Sequence, residues 1–111
     1  MIKVNVYRNN KNQIVRFQLE GHADFDEEGS DIVCSAVTVL VFNTINCIEA
    51  YTDEPFQCDT DEKNGGFLSY VLTELEEESH DTQLLLETMV HGLCEIEKEY
   101  SDYISVKDRE V

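Results

Sequence analysis

The sequence has few basic residues, a single proline, only five glycines and no Cys-x-x-Cys. Scarcity of proline and glycine excludes collagen-like and low-complexity classes. Apolar residues make up 41% of the chain, which excludes a disordered tail. The four cysteines stand alone at positions 34, 47, 58 and 94, which argues against a zinc knuckle or a thioredoxin-type pair. No long apolar run occurs. The longest, Ile32 to Phe42, is interrupted by Ser35 and Thr38 and is too short to span a bilayer. The opening Met-Ile-Lys-Val-Asn-Val alternates like a strand and lacks the apolar core of a secretory signal. The expectation is therefore a cytoplasmic protein with no membrane partner, its cysteines held as thiols. A chain of 111 residues predicts one domain over 1–111 that needs no disulfide or metal to fold.

Charge is what the sequence has in excess. Eight Lys and Arg face 24 Asp and Glu, a formal net charge of -16. Residues 1–20 carry +3 and residues 21–111 carry -19. A body this acidic repels phosphate backbones and anionic lipid, so no direct nucleic-acid binding is expected. A partner steered by charge would be basic, although solubility alone also accounts for an acidic composition.

Residues 2–7 and 13–20 alternate, with Ile2, Val4, Val6, Val15, Phe17 and Leu19 on the inward side. Period two predicts half-buried strands, joined by a hairpin loop over 8–12. Gly21 ends the second strand, and the acidic segment 22–31 has no period and reads as a loop. Residues 32–51 are rich in β-branched residues, yet the pattern runs too long for a strand and predicts a helix capped by Ser30 or Asp31. On that helix Ser35, Thr38, Asn46 and Glu49 form a narrow polar face. The remaining apolar circumference predicts burial on more than one side, inside the domain or against a second subunit. Residues 56–60 and 67–73 read as strands around an Asn-Gly-Gly turn. Residues 80–100 read as an amphipathic helix capped by Ser79 or Asp81, and 103–107 as a last strand. The order β-β-α-β-β-α-β predicts an α+β fold: a mostly antiparallel sheet packed with two main helices.

The chemistry-bearing residues divide into two groups. His80 and His91 fall on the polar face of the second helix and read as solvated surface. Cys47, Cys58 and Cys94 sit among apolar residues and read as small packed hydrophobes. His22 and Cys34 differ. His22 follows a strand-ending glycine, and Cys34 falls near a helix start, where positive potential favours thiolate. The intervening loop of eleven residues is long enough to bring imidazole to sulfur, giving a nucleophile its base. Helix N–H groups near Cys34 and Ser35 are candidates for cradling an oxyanion. Gly21 permits close backbone approach. A buried thiol at a helix start is the alternative that these residues leave open.

The string Gly21-His22-Ala23, an acidic loop with Gly29, then Asp31-Ile32-Val33-Cys34-Ser35-Ala36-Val37-Thr38 resembles the ribosomal-processing cysteine protease family, Prp. The likeness extends over the whole chain, including the opening hairpin, the Gly65-Gly66 turn and the second helix. Thr38 stands where the family often has serine, and it keeps the hydroxyl. The resemblance implies a cysteine endopeptidase that removes the N-terminal extension of large-subunit ribosomal protein twenty-seven. It implies cleavage after an aromatic pair and before small residues, a homodimer, and neither metal nor cofactor. It puts the nucleophile on Cys34 and the base on His22. Gly21, Ala23, Asp31 and Ser35 are candidates for substrate or oxyanion contact; Asp31 is also the candidate to orient His22, a role that capping explains equally well. Asp24, Asp26, Glu27 and Glu28 would meet a basic substrate or only keep the loop solvated, and Phe25 would contact the apolar substrate segment or close the loop as a lid.

Two other function classes stand beside this one. A non-catalytic acidic module could bind a basic ribosomal protein, with His22 and Cys34 dispensable. A thiol redox protein would use Cys34 as sensor, but no resolving cysteine lies near it in sequence.

Overall fold

The structure is a computed structural model and describes residues 1–21, 30–61, 66–74 and 79–111, with only the backbone described at 30 and 31. Its elements run β1 (Ile2–Arg8), β2 (Ile14–Glu20), α1 (Ser30–Tyr51), β3 (Phe56–Asp61), β4 (Phe67–Leu72), α2 (His80–Glu99) and β5 (Ile104–Glu110). The predicted order and element types hold, with ends moved by one to three residues. The fold is α+β, with a five-stranded sheet ordered β3-β4-β2-β1-β5. Three of its pairings are antiparallel, and β5 lies parallel to β1.

Alternation in the strands decides which sheet face is covered. Ile2, Val4, Val6, Phe17, Leu68, Tyr70 and Leu72 are buried on one side. Lys3, Asn5, Tyr7, Arg16 and Gln18 take the other, as period two requires. Phe17, Tyr70 and Phe56 stack across β2, β4 and β3 with successive ring centroids 4.9 Å apart. Near the β1–β2 turn the register slips after Tyr7, so Ile14 pairs with Arg8 and joins Val15 in being buried. The carboxamide of Gln83 on α2 serves the bulge: Nε2 donates to the Ile14 carbonyl and Oε1 accepts from the Ile14 N–H, both at 2.8 Å.

Helix α2 starts at a Ser79 cap, whose hydroxyl accepts the Thr82 N–H, and buries Leu86, Met89, Val90 and Leu93. Gly92 lets it approach α1 closely: a Cβ there would lie 2.8 Å from Leu40 Cδ2. Helix α1 buries Val33, Val37, Val41, Thr44, Ile45 and Ile48 at spacings of three and four. The Thr44 hydroxyl is satisfied by the Leu40 carbonyl at 2.7 Å.

Two expectations for α1 need correction. The helix is not sandwiched: it lies on one face of the sheet beside α2. Its other side exposes apolar residues, with Ile32 at 61%, Val39 at 68% and Phe42 at 43% exposure. The second, that no apolar stretch is long enough to span a bilayer, gives way because the helix runs on to Tyr51, as its pattern predicted. By length and composition alone Ile32–Tyr51 would suffice to cross a bilayer, with mean hydropathy 1.7. About a third of that stretch is buried, as the inward stripe that packs into the core of the domain.

Candidate active site

Cys34 is the fifth residue of α1 and is partly buried against the core. It lines a groove of about 320 Å³ at the end of the sheet that holds the start of β1 and the end of β2. Val37, Thr38, Val41 and Phe42 continue the helix wall, one and two turns beyond Cys34. Ile2, Leu19, Gly21, Thr60, Gly66, Phe67 and Leu68 form the sheet wall. The groove is mostly apolar in its side chains, with the thiol near one end of the helix wall.

Gly21 accounts for how tightly the sheet wall closes. Its φ is +92°, in the left-handed region, and a Cβ on it would overlap the Met1 carbonyl oxygen. Its N–H donates to the Gly66 carbonyl at 2.9 Å, joining the end of β2 to the turn before β4. The expected close backbone approach at Gly21 is thus present. His22, Ala23 and the acidic residues 24 and 26–28 lie outside the described residues, as do Phe25 and the side chains of Ser30 and Asp31. Of the expected site residues, the structure brings Gly21 and Cys34 to one groove and leaves Ser35 exposed on the helix surface.

The helix start bears on the expected oxyanion cradle. An α-helix that includes Ser30 pairs the N–H of Cys34 and of Ser35 with the carbonyls four residues earlier. Those two donors are spent inside the helix. The unspent donors of a helix lie at its very first positions, before Cys34.

The other cysteines behave as background. Cys58 and Cys94 pack against the core, and burial pushes both thiols up, aided at Cys58 by the charge of Asp59 and at Cys94 chiefly by Glu97. Cys47 departs from the expectation: it is not part of the core packing and sits 3.9 Å from Asn43 Oδ1. His80 and His91 are exposed beside Asp81 and Glu95, as expected of surface residues. Among the described residues no cluster of His, Cys, Asp and Glu is arranged to hold a metal ion.

Sequence reasoning missed most of the groove. Thr38 and Val41 were legible in principle, because they follow Cys34 at helical spacing. Thr60, Gly66 and Phe67 come from the β3–β4 hairpin, and only strand order brings that hairpin beside β2.

Comparison with known proteins bears on the same site. The family model for cysteine protease Prp matches residues 1–105. Ribosomal processing cysteine protease Prp of Bacillus subtilis is 34% identical over 107 residues, covering 96% of each chain. The fold is similar to an essential ribosomal processing protease Prp from Staphylococcus aureus in complex with a substrate peptide. The TM-score is 0.88 at 29% identity, over 98% of this chain and 100% of that one. The same protease with a covalently linked product peptide gives a TM-score of 0.87 at 31% identity, with the same coverage.

Proposed function

The chain belongs to the cysteine protease Prp family, and on that premise we propose that it removes the N-terminal extension of a large-subunit ribosomal protein, with Cys34 as nucleophile and His22 as base. The observation that carries this reading is the shared groove: Cys34 and Gly21, the chain neighbour of His22, line the same apolar cleft. A cleft of this volume and character takes one large apolar side chain. An aromatic residue on the N-terminal side of the cut suits it.

The chemistry follows from the pair. His22 takes the thiol proton, and the Cys34 thiolate adds to the scissile carbonyl carbon. The tetrahedral intermediate collapses as His22 passes that proton to the leaving amine, which leaves a thioester on Cys34. Water, deprotonated by His22, adds to the thioester. The carboxylate product then departs and the thiol is restored. The oxyanion is met by donors at the first positions of α1, where the helix dipole also favours negative charge.

Charge around the groove suits a basic substrate. Asp61 and Glu20 flank Phe67 in the row of the sheet that borders the groove. These carboxylates would draw in the lysines and arginines of a ribosomal protein and raise the association rate. The family resemblance further suggests a homodimer, which we place in the cytoplasm. The exposed Ile32 and Val39 of α1 are the dimer's natural contact, and Val39→Lys would shift the sedimentation coefficient to that of a monomer.

The deciding experiment is intact-mass spectrometry of the extended ribosomal protein after incubation with wild type, Cys34→Ala and His22→Ala. Loss of the extension with wild type alone is expected. Cleavage that survives Cys34→Ala would sink the cysteine mechanism. A stable complex with all three proteins and no cleavage would make the chain an acidic binding module.

A further inference from the structure

The uncovered face of the sheet carries a charge separation that the composition conceals. Read across β3, β4, β2, β1 and β5, one row is Asp61, Phe67, Glu20, Lys3 and Ser105. The next is Asp59, Ser69, Gln18, Asn5 and Lys107. The third is Gln57, Val71, Arg16, Tyr7 and Arg109. Acid gathers at the β3 side and base at the β5 side. Lys3, Arg16, Lys107 and Arg109 are half of the eight basic residues in the chain, all exposed. None of the four forms an ion pair among the described residues, although carboxylates outnumber cations threefold.

The centre of this basic area is aromatic. The Arg16 guanidinium sits 5.1 Å from the Tyr7 ring centroid, and Arg109 is the cross-strand neighbour on the ring's other side. Arg109 Nε is held by Asn5 Oδ1 at 2.8 Å. The neighbouring carboxylates of β5 do not cancel the patch. Asp108 and Glu110 alternate to the helix side of the strand, where Arg8 takes Asp108 and Glu87 together.

We propose that the sheet face bearing Lys3, Tyr7, Arg16, Lys107 and Arg109 binds single-stranded RNA. A flat sheet with an aromatic ring between guanidinium groups offers a base something to stack on and its phosphates something to pair with. An acidic protein would need a cluster of apolar anchors, and the basic half of the face offers the Tyr7 ring alone. The net charge of -16 does not forbid this contact. On this face Glu20 lies beside Lys3 at one end, while four strand spacings, about 19 Å, separate Lys107 and Arg109 from the carboxylates of β3. That is roughly twice the screening length at physiological salt. Binding here would run against the expectation drawn from net charge. The inference does not depend on the proposed protease reaction, because it uses neither Cys34 nor the groove.

Fluorescence anisotropy of a short labelled single-stranded RNA tests it on the chain of 111 residues. Binding should weaken between about 50 mM and about 200 mM salt, with a log–log slope near -2 to -3 for three to four phosphate contacts. Lys107→Gln together with Arg109→Gln should lower affinity roughly tenfold by removing two such contacts. Tyr7→Ala should weaken binding without changing the salt slope. Lys98→Gln, on α2 and away from this face, should leave binding intact. Circular dichroism of each variant confirms the fold. No binding by wild type at low salt would overturn the proposal, as would equal losses with Lys98→Gln. Binding of polyglutamate as tightly as RNA would overturn it too, in favour of an acidic protein partner.

Discussion

Gly21 donates its backbone N–H to the carbonyl of Gly66, and this one bond of 2.9 Å fastens the last residue before His22 to the residue that leads into β4 and lines the groove. At φ +92° and against the Met1 carbonyl, Gly21 has no room for a side chain. Gly21→Ala is expected to cost about 1–3 kcal/mol in backbone strain and displacement of β1. Because the same residue leads into the proposed base, peptide hydrolysis should fall further than the loss of folded protein explains. Urea unfolding and kcat measured on the folded fraction separate the two. Wild-type kcat in a destabilised Gly21→Ala protein would confine Gly21 to a structural role.

Cysteine reactivity distinguishes a catalytic thiol from packed ones. Burial holds the Cys58 and Cys94 thiols above the ordinary range, so both carry less thiolate at neutral pH than a free cysteine. Cys34 opens on the groove. Iodoacetamide near neutral pH should therefore modify Cys34 ahead of Cys58 and Cys94, followed by peptide mass spectrometry. Modification of Cys58 or Cys94 first would remove the chemical support for Cys34 as nucleophile.

How much of this was legible in the sequence differs by element. The hairpin strands were, because Ile2, Val4 and Val6 face inward at period two and nothing competes with that pattern. Helix α2 was, because Leu86, Met89 and Leu93 recur on one face and Ser79 caps it. Helix α1 was legible in type but not in orientation. Val39 and Phe42 are as apolar as Val37 and Val41, so hydrophobicity alone could not say which pair faces the sheet. The parallel pairing of β5 with β1 was hidden, because it depends on where the α2 crossover returns the chain. The Gln83 bracket on Ile14 was hidden too: it joins residues 69 apart in sequence, and glutamine on a helix surface carries no local signal. At the site, Cys34 was legible from its string and the groove was not, since the β3–β4 hairpin reaches it only through strand order.

Glu54 gives a pH dependence with a definite sign. Burial raises its carboxyl above the ordinary value of 4.5, against hydrogen bonds from Ser79 and Thr82 that lower it. Just above 4.5 the folded protein keeps a proton that the unfolded chain has lost. Stability from this group therefore falls as pH rises through the folded value, and the ionised carboxylate is a cost at neutral pH. Glu54→Gln should stabilise the protein at neutral pH, by under about 1 kcal/mol because solvent screens the site. The gain should shrink as pH is lowered toward the ordinary carboxylate range. Denaturant titrations of both proteins across that range measure it, and a gain that grows on acidification would reverse the sign.

The groove itself makes the sharpest demand on the proposed specificity. Thr38 lies one helical turn beyond Cys34 and lines the apolar cleft, while remaining exposed enough to be replaced without disturbing the core. Thr38→Phe would fill part of the space of about 320 Å³ that an aromatic substrate side chain is proposed to enter. The loss of one such anchor is worth about 1.5–3 kcal/mol of binding, which is roughly tenfold to a hundredfold in kcat/KM. The effect should fall mainly on KM, since neither the thiol nor its base is touched. It should also depend on the substrate: a peptide with alanine before the cut, already poor, should lose little more. If Thr38→Phe lowers kcat/KM equally for the aromatic and the alanine peptide, the groove is not where the aromatic side chain binds. Specificity would then have to come from elsewhere around Cys34.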